Sequence, residues 1–134
     1  MSPSRRMARG GPGDARNRRM IAAKYLEAAE LVATEEGAAA NNVIVGIAAL
    51  AGIAAGDAIC LSATGSRYAG DNHGEAAKVL TGVDRELGAE LAKLVRLKPG
   101  ARYGSKFIGD ADRTRALRAA STLVGAATER TLGA

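Results

Sequence analysis

Two side chains of this 134-residue chain have the types and spacing for chemistry on a phosphate: Arg67 and, after five intervening residues, His73. His73 is the only histidine in the chain. The pattern around it puts it in the first turn of a helix, where the positive end of the helix dipole favours the neutral ring over the imidazolium. A neutral imidazole is competent as a general base. Arg67, in the loop just before, carries a forked guanidinium suited to phosphate oxygens. Together they meet the minimum needs of metal-free RNA cleavage. The base takes the proton of a ribose 2′-hydroxyl, that oxygen attacks the adjacent phosphorus, and the guanidinium stabilises the charge developing on the phosphate. DNA lacks that hydroxyl, so the chemistry would be specific to RNA. An Arg followed at this distance by a His also arises by chance. The plainer alternative is a surface His beside a helix cap and a solvated Arg.

Asp57 and Cys60 precede this pair within an apolar stretch. Asp57 shares a helical stripe with Gly46, Leu50 and Ile53. A carboxylate on such a stripe needs a partner, because burying it unpaired is very costly. Arg67, Arg102 and His73 are the candidates, unless Asp57 reaches solvent near the end of the fold. Cys60 has no second cysteine and no basic neighbour at helical spacing, so it reads as a small buried hydrophobe rather than a nucleophile. The sequence contains no metal-ligand cluster, no phosphate loop and no Ser/His/Asp order. No cofactor is expected.

The element that must position these groups is Val43–Ala63, VIVGIAALAGIAAGDAICLSA, which carries one charge. It is too long for a strand and apolar on every side, so it reads as a central buried helix rich in Ala and Gly. Three amphipathic segments can wrap around it. The first starts near Asp14, with Ile21, Tyr25, Ala28 and Val32 as its apolar face and an end at Gly37. Asn41 and Asn42 can cap the central helix, and Gly65 ends it. The third helix starts at Asn72, where Asn72-x-x-Glu75 has capping-box spacing. It continues along a seam of Ala76, Leu80, Val83, Leu87, Leu91 and Leu94 until Pro99-Gly100 stops it. A long connection follows, which carries Arg102 and Tyr103. These two could fold over the Arg67/His73 site, Arg102 adding a cation and Tyr103 a stacking surface. The alternative is that Tyr103 fills the bundle end and Arg102 pairs with Asp57. Asp110 or Asp112 caps the last helix, whose face is Leu117, Ala120, Val124 and Ala127. Strand signals are nearly absent. The expected fold is all-α, an antiparallel four-helix up-and-down bundle over 14–134 behind a disordered basic tail over 1–13.

The formal charge of +5 resides in the first nineteen residues, which hold six Arg and one Asp. The body is polar in another sense: Met20–Glu90 is net −6 and Leu91–Ala134 net +6. Such a body could offer a basic surface to RNA or dimerise through opposed faces, although ordinary solvated helix faces are the simpler explanation. One Cys fits a reducing cytoplasm. The central helix is long enough to cross a membrane, and Gly52-x-x-x-Gly56 is a small-residue packing motif. Asp57 and the three amphipathic partners argue instead for a soluble bundle without a membrane role.

The four-helix layout, with Arg67-x5-His73 at the start of the third helix, resembles the HEPN superfamily of nucleotide-binding helical domains. The run LAGIAAGDAICLSATGSRYAGDNHGEAAKVL and the later LKPGARYG are similar to small actinobacterial HEPN-like proteins. The resemblance implies a homodimer with two Arg/His motifs facing one cleft. It also implies a metal-independent endoribonuclease of toxin–antitoxin type, with a nucleotidyltransferase-type antitoxin as partner and RNA as substrate. In that family an acid on the second helix supports the Arg, a role that falls to Asp57, and Tyr68 matches the polar residue common beside the Arg. Some toxin members have a Tyr two residues after the His, where this chain has Glu75. Other members of the superfamily are inactive and bind only nucleotides or partner proteins, and that non-catalytic, homodimeric module is the second reading.

Overall fold

The computed structural model describes residues 5–132, with the side chains of Arg102 and Tyr103 outside the described set. The chain runs β1 (Met7–Arg9), α1 (Pro12–Val32), α2 (Ala38–Thr64), β2 (Ser66–Tyr68), α3 (His73–Val83), α4 (Arg85–Tyr103) and α5 (Asp110–Thr131). It is a helical protein, as expected, but the described residues form five helices where four were expected and add a two-stranded antiparallel ribbon.

α2 is the centre. It touches every other helix and β2. Its alanines at 48, 49, 51, 54, 55 and 58 are fully buried. Small side chains let partner helices approach closely: a Cβ on Gly52 would lie 2.4 Å from Leu94 and 3.2 Å from Leu123. By length and composition alone α2 could cross a membrane, yet 72% of its most apolar window is buried inside the fold. Its burial is not complete on all sides. Val43 is exposed, and Gly46, Ile47, Leu50 and Ile53 are half-buried along one edge that leads to the buried Asp57.

Several local expectations are corrected. The segment before Asp14 is not a free tail from residue 5 onward: β1 pairs with β2 in the register Ala8↔Arg67. Backbone bonds Gly10 N to Gly65 O (3.0 Å) and Ala69 N to Arg6 O (2.7 Å) extend the ladder at both ends. Gly65 turns the chain from α2 into β2 with φ at 77°, a conformation that favours glycine. α1 begins at Pro12, and Asp14 accepts the Gly11 N–H from the third helical position instead of being the cap. The face that α1 buries is Ala15, Ala22 and Ala29, with Leu26 packed against the core; Ile21 and Tyr25 stay exposed. Small residues win that face because they fit against the alanine surface of α2. Asn41 and Asn42 do not cap α2. The Asn41 amide donates to the Ile108 carbonyl and to Asp110, and Asn42 accepts from the Ile108 N–H, so both clamp the loop before α5.

The expected third helix is two. Asp84 adopts an extended backbone, and its carboxylate accepts from Leu87 N at 3.1 Å, which caps α4. The Leu87 N–H, with Arg130 of α5 second, holds the Asp84 carboxyl below its usual range. The apolar seam survives the break, since Leu80, Leu87, Leu91 and Leu94 are all buried. Pro99 sits inside α4, which runs on to Tyr103.

α3 and α4 form an antiparallel hairpin whose backbones come close at Gly88. A Cβ there would lie 2.5 Å from the Thr81 Cα. That register carries the start of α3 back to the later turns of α4. Replacing Gly88 by Ala should therefore destabilise the protein by about 2 kcal/mol through overpacking. Helix propensity alone would give a gain of about 1 kcal/mol. Chemical denaturation of the G88A variant checks the sign.

Candidate functional site

The candidate site is built on the short chain path from α2 through β2 into α3. Along β2 successive side chains alternate in direction. Tyr68 turns toward the following loop, where its hydroxyl oxygen accepts the Asn72 N–H at 3.2 Å. Gly70 leaves room for the ring, since a Cβ there would lie 2.2 Å from the Tyr68 hydroxyl. Arg67 turns the other way, toward α2. Its Nη1 lies 4.0 Å from Asp57 Oδ2 and donates to the Tyr68 carbonyl at 3.3 Å.

Asn72 caps α3, its Oδ1 accepting from Gly74 N and Glu75 N. The capping-box spacing is half used. Glu75 takes Arg5 at 2.8 Å and Lys78 at 3.2 Å, and the Asn72 N–H goes to Tyr68. Those two cations hold the Glu75 carboxyl below its usual range. The arm before α1 is thus tied to α3 by an ion pair and to β2 by its ladder. It brings the exposed Arg6 to the face of the ribbon that carries Arg67, while Arg9, also exposed, lies on the opposite face with Tyr68.

His73 is the first residue of α3 and is half-buried. Its Nδ1 lies 2.7 Å from Lys98 Nζ on α4. Lys98 is only 7% exposed. Nothing in the sequence singled it out, because one Lys between Leu97 and Pro99 looks like a solvated helix end. The signal that could have found it is the antiparallel register of α3 against α4, which requires the break at Asp84.

The Asp57 carboxylate is buried, and its first partner is a residue the sequence reading passed over. Arg18 Nη2 of α1 donates to Asp57 Oδ2 at 2.9 Å. The Nε of the same guanidinium is buried and without a hydrogen-bond partner. Of the three expected partners Arg67 is present, at the longer distance. Burial pushes the Asp57 carboxyl above its usual range, and the nearby charges of Arg18 and Arg67 offset this only in part. The same burial, with the Asp57 charge second, pushes the Cys60 thiol up to about 11, so Cys60 is no nucleophile at neutral pH.

Arg102 and Tyr103 belong to the last turn of α4 rather than to a loop. Their expected contacts with the site or with Asp57 fall on side chains outside the described residues. The connection that does follow is held to Asn41 and Asn42, which lie sixteen and fifteen residues before Asp57 on α2. That is roughly 24 Å along a helix, so the loop cannot cover Asp57 and Arg67. The structure thus brings Arg67 to Asp57, Tyr68 to Asn72, and His73 to Lys98. Among the described residues no group of three or more metal-binding side chains gathers.

Comparison with protein-family models, curated proteins and solved structures finds no match to this chain.

A raised Asp57 pKa binds a proton more tightly in the folded state. Its ionisation therefore lowers stability as pH rises from the ordinary Asp value through the folded one. D57N keeps an oxygen acceptor for Arg18 and removes this loss, so its stability relative to wild type should improve as pH rises from 4 toward neutrality. D57A leaves Arg18 without its acceptor and should cost about 3 kcal/mol at neutral pH. Thermal melts of both variants across that range check the two signs.

Proposed function

We propose that this chain is a HEPN-like domain that binds phosphate groups of single-stranded RNA through Arg67 and His73. The observation that carries the reading is the anchored turn between them. Arg67 is braced against a buried acid and His73 against a buried lysine, while Tyr68 and Asn72 lock the intervening loop. A pre-organised cation and ring N–H donor of this kind suit an anionic ligand better than a solvated pair does. Arg6 of the arm, on the same face of the ribbon, extends the positive surface beside Arg67, which suits a ligand carrying more than one phosphate.

Cleavage of the bound strand asks for more, because His73 would need a ring nitrogen free to accept the ribose proton. The metal-independent endoribonuclease, of toxin–antitoxin type with a nucleotidyltransferase-type antitoxin, is the catalytic form of the same reading. A homodimer belongs to both forms, acting in the cytoplasm. Its support here is that Ile21 and Tyr25, on one stripe of α1, remain 40% and 37% exposed although they are large and apolar.

The test uses purified protein, single-stranded RNA and EDTA. Binding should weaken with salt and fall by roughly tenfold or more in R67A, as expected for the loss of a charged hydrogen bond. Strand cleavage that survives EDTA and disappears in H73A would establish the catalytic form. Absence of binding by the wild-type protein at low salt would reject RNA as the ligand. In sedimentation, the wild type should run as a dimer and Y25E as a monomer; a monomeric wild type would reject the homodimer alone.

A further inference from the structure

His73 and Lys98 are held together by backbone geometry as well as by their own contact. The α3–α4 hairpin, tightly packed at Thr81 and Gly88, returns α4 to the start of α3 ten residues later. Asn72 fixes that start by accepting the Gly74 and Glu75 N–H groups. Lys98 arrives one turn after the fully buried Leu94 and is itself buried. Its Nζ stands 2.7 Å from Nδ1 of the ring.

An ammonium group has three N–H donors and no acceptor, so in this contact Nδ1 must accept. A neutral imidazole has one acceptor nitrogen and one N–H, so the proton then sits on Nε2. A doubly protonated ring would set two donors against each other at this distance. We propose that Lys98 is the positioning residue of His73: it donates to Nδ1 and holds the ring as the Nε2–H tautomer, a hydrogen-bond donor toward an anionic oxygen. The clause about the oxygen rests on the phosphate-binding reading above; the tautomer does not.

The assignment separates binding from cleavage. With Lys98 as an ammonium, Nε2 offers a proton to a phosphate oxygen, six residues along the chain from Arg67. To act as a base instead, the pair must first lose one proton to solvent. Lys98 then becomes an amine, Nδ1–H donates to it, and Nε2 is left bare to accept the ribose proton.

Because the chain has one histidine, a long-range proton–nitrogen spectrum of the ¹⁵N-labelled native protein reports this ring alone. At neutral pH and without ligand, Nδ1 is expected in the unprotonated range and Nε2 in the protonated range. K98M should lower the Nε2–H population, and K98R, which restores a cationic donor, should bring the Nε2–H form back. A native ring protonated on Nδ1, or on both nitrogens, would overturn the inference, as would an unchanged tautomer in K98M. If K98M does not fold, the native spectrum still decides. No RNA is needed, so failure of the RNA-binding test with an Nε2–H ring would sink the functional reading and leave this one standing.

Discussion

A single buried carboxylate joins three elements of this protein. Asp57 projects from the central helix, takes the Arg18 guanidinium of α1 and lies within ion-pair range of Arg67 of β2. An ionised group in such a place costs several kcal/mol of desolvation, and one attractive partner seldom repays it in full. The direction of the Asp57 shift says the same: burial outweighs both guanidinium groups. Around Asp57 the half-exposed edge of α2 closes over, and the arm, the first helix and the second strand meet there. The orientation of Arg67 follows from that junction.

Much of the framework was legible because apolar periodicity is a strong signal. The run from Val43 to Ala63 identified the central helix, and the seam from Ala76 to Leu94 identified the residues that pack on it. What the seam hid was the break at Asp84. Val83 and Leu87 are four apart, so the period passes undisturbed through a residue with an extended backbone. An Asp within a helical run, three residues before the backbone N–H it caps, was the available clue. The face of α1 was misjudged by one position for a different reason. Large side chains drew attention to Ile21 and Tyr25, whereas the surface of α2 is made of alanine and admits only small partners closely.

At the site, the residues near Arg67 and His73 in sequence were legible and those brought from a distance were not. Asn72 was found by its capping spacing, and Tyr68 entered through the family resemblance; the two act within the same turn. Arg18 and Lys98 come from other helices, 39 and 25 residues away from the groups they hold. Two three-residue strands are too short to show alternation, and arginine is not a strand-forming signal. Their pairing is a backbone matter that becomes visible only when the arm is seen beside β2.

The ladder between β1 and β2 also sets how the arm can leave. It is held by a few main-chain bonds and by the partly solvated Arg5–Glu75 pair, while the helices behind it share one apolar core. Elements attached in this way detach at a small fraction of the global unfolding free energy. Release of the arm would bare an unpaired strand edge at Ser66–Tyr68 without disturbing the alanine-lined interior. Amide exchange in this protein should therefore have two tiers: fast at the ribbon, and very slow along α2.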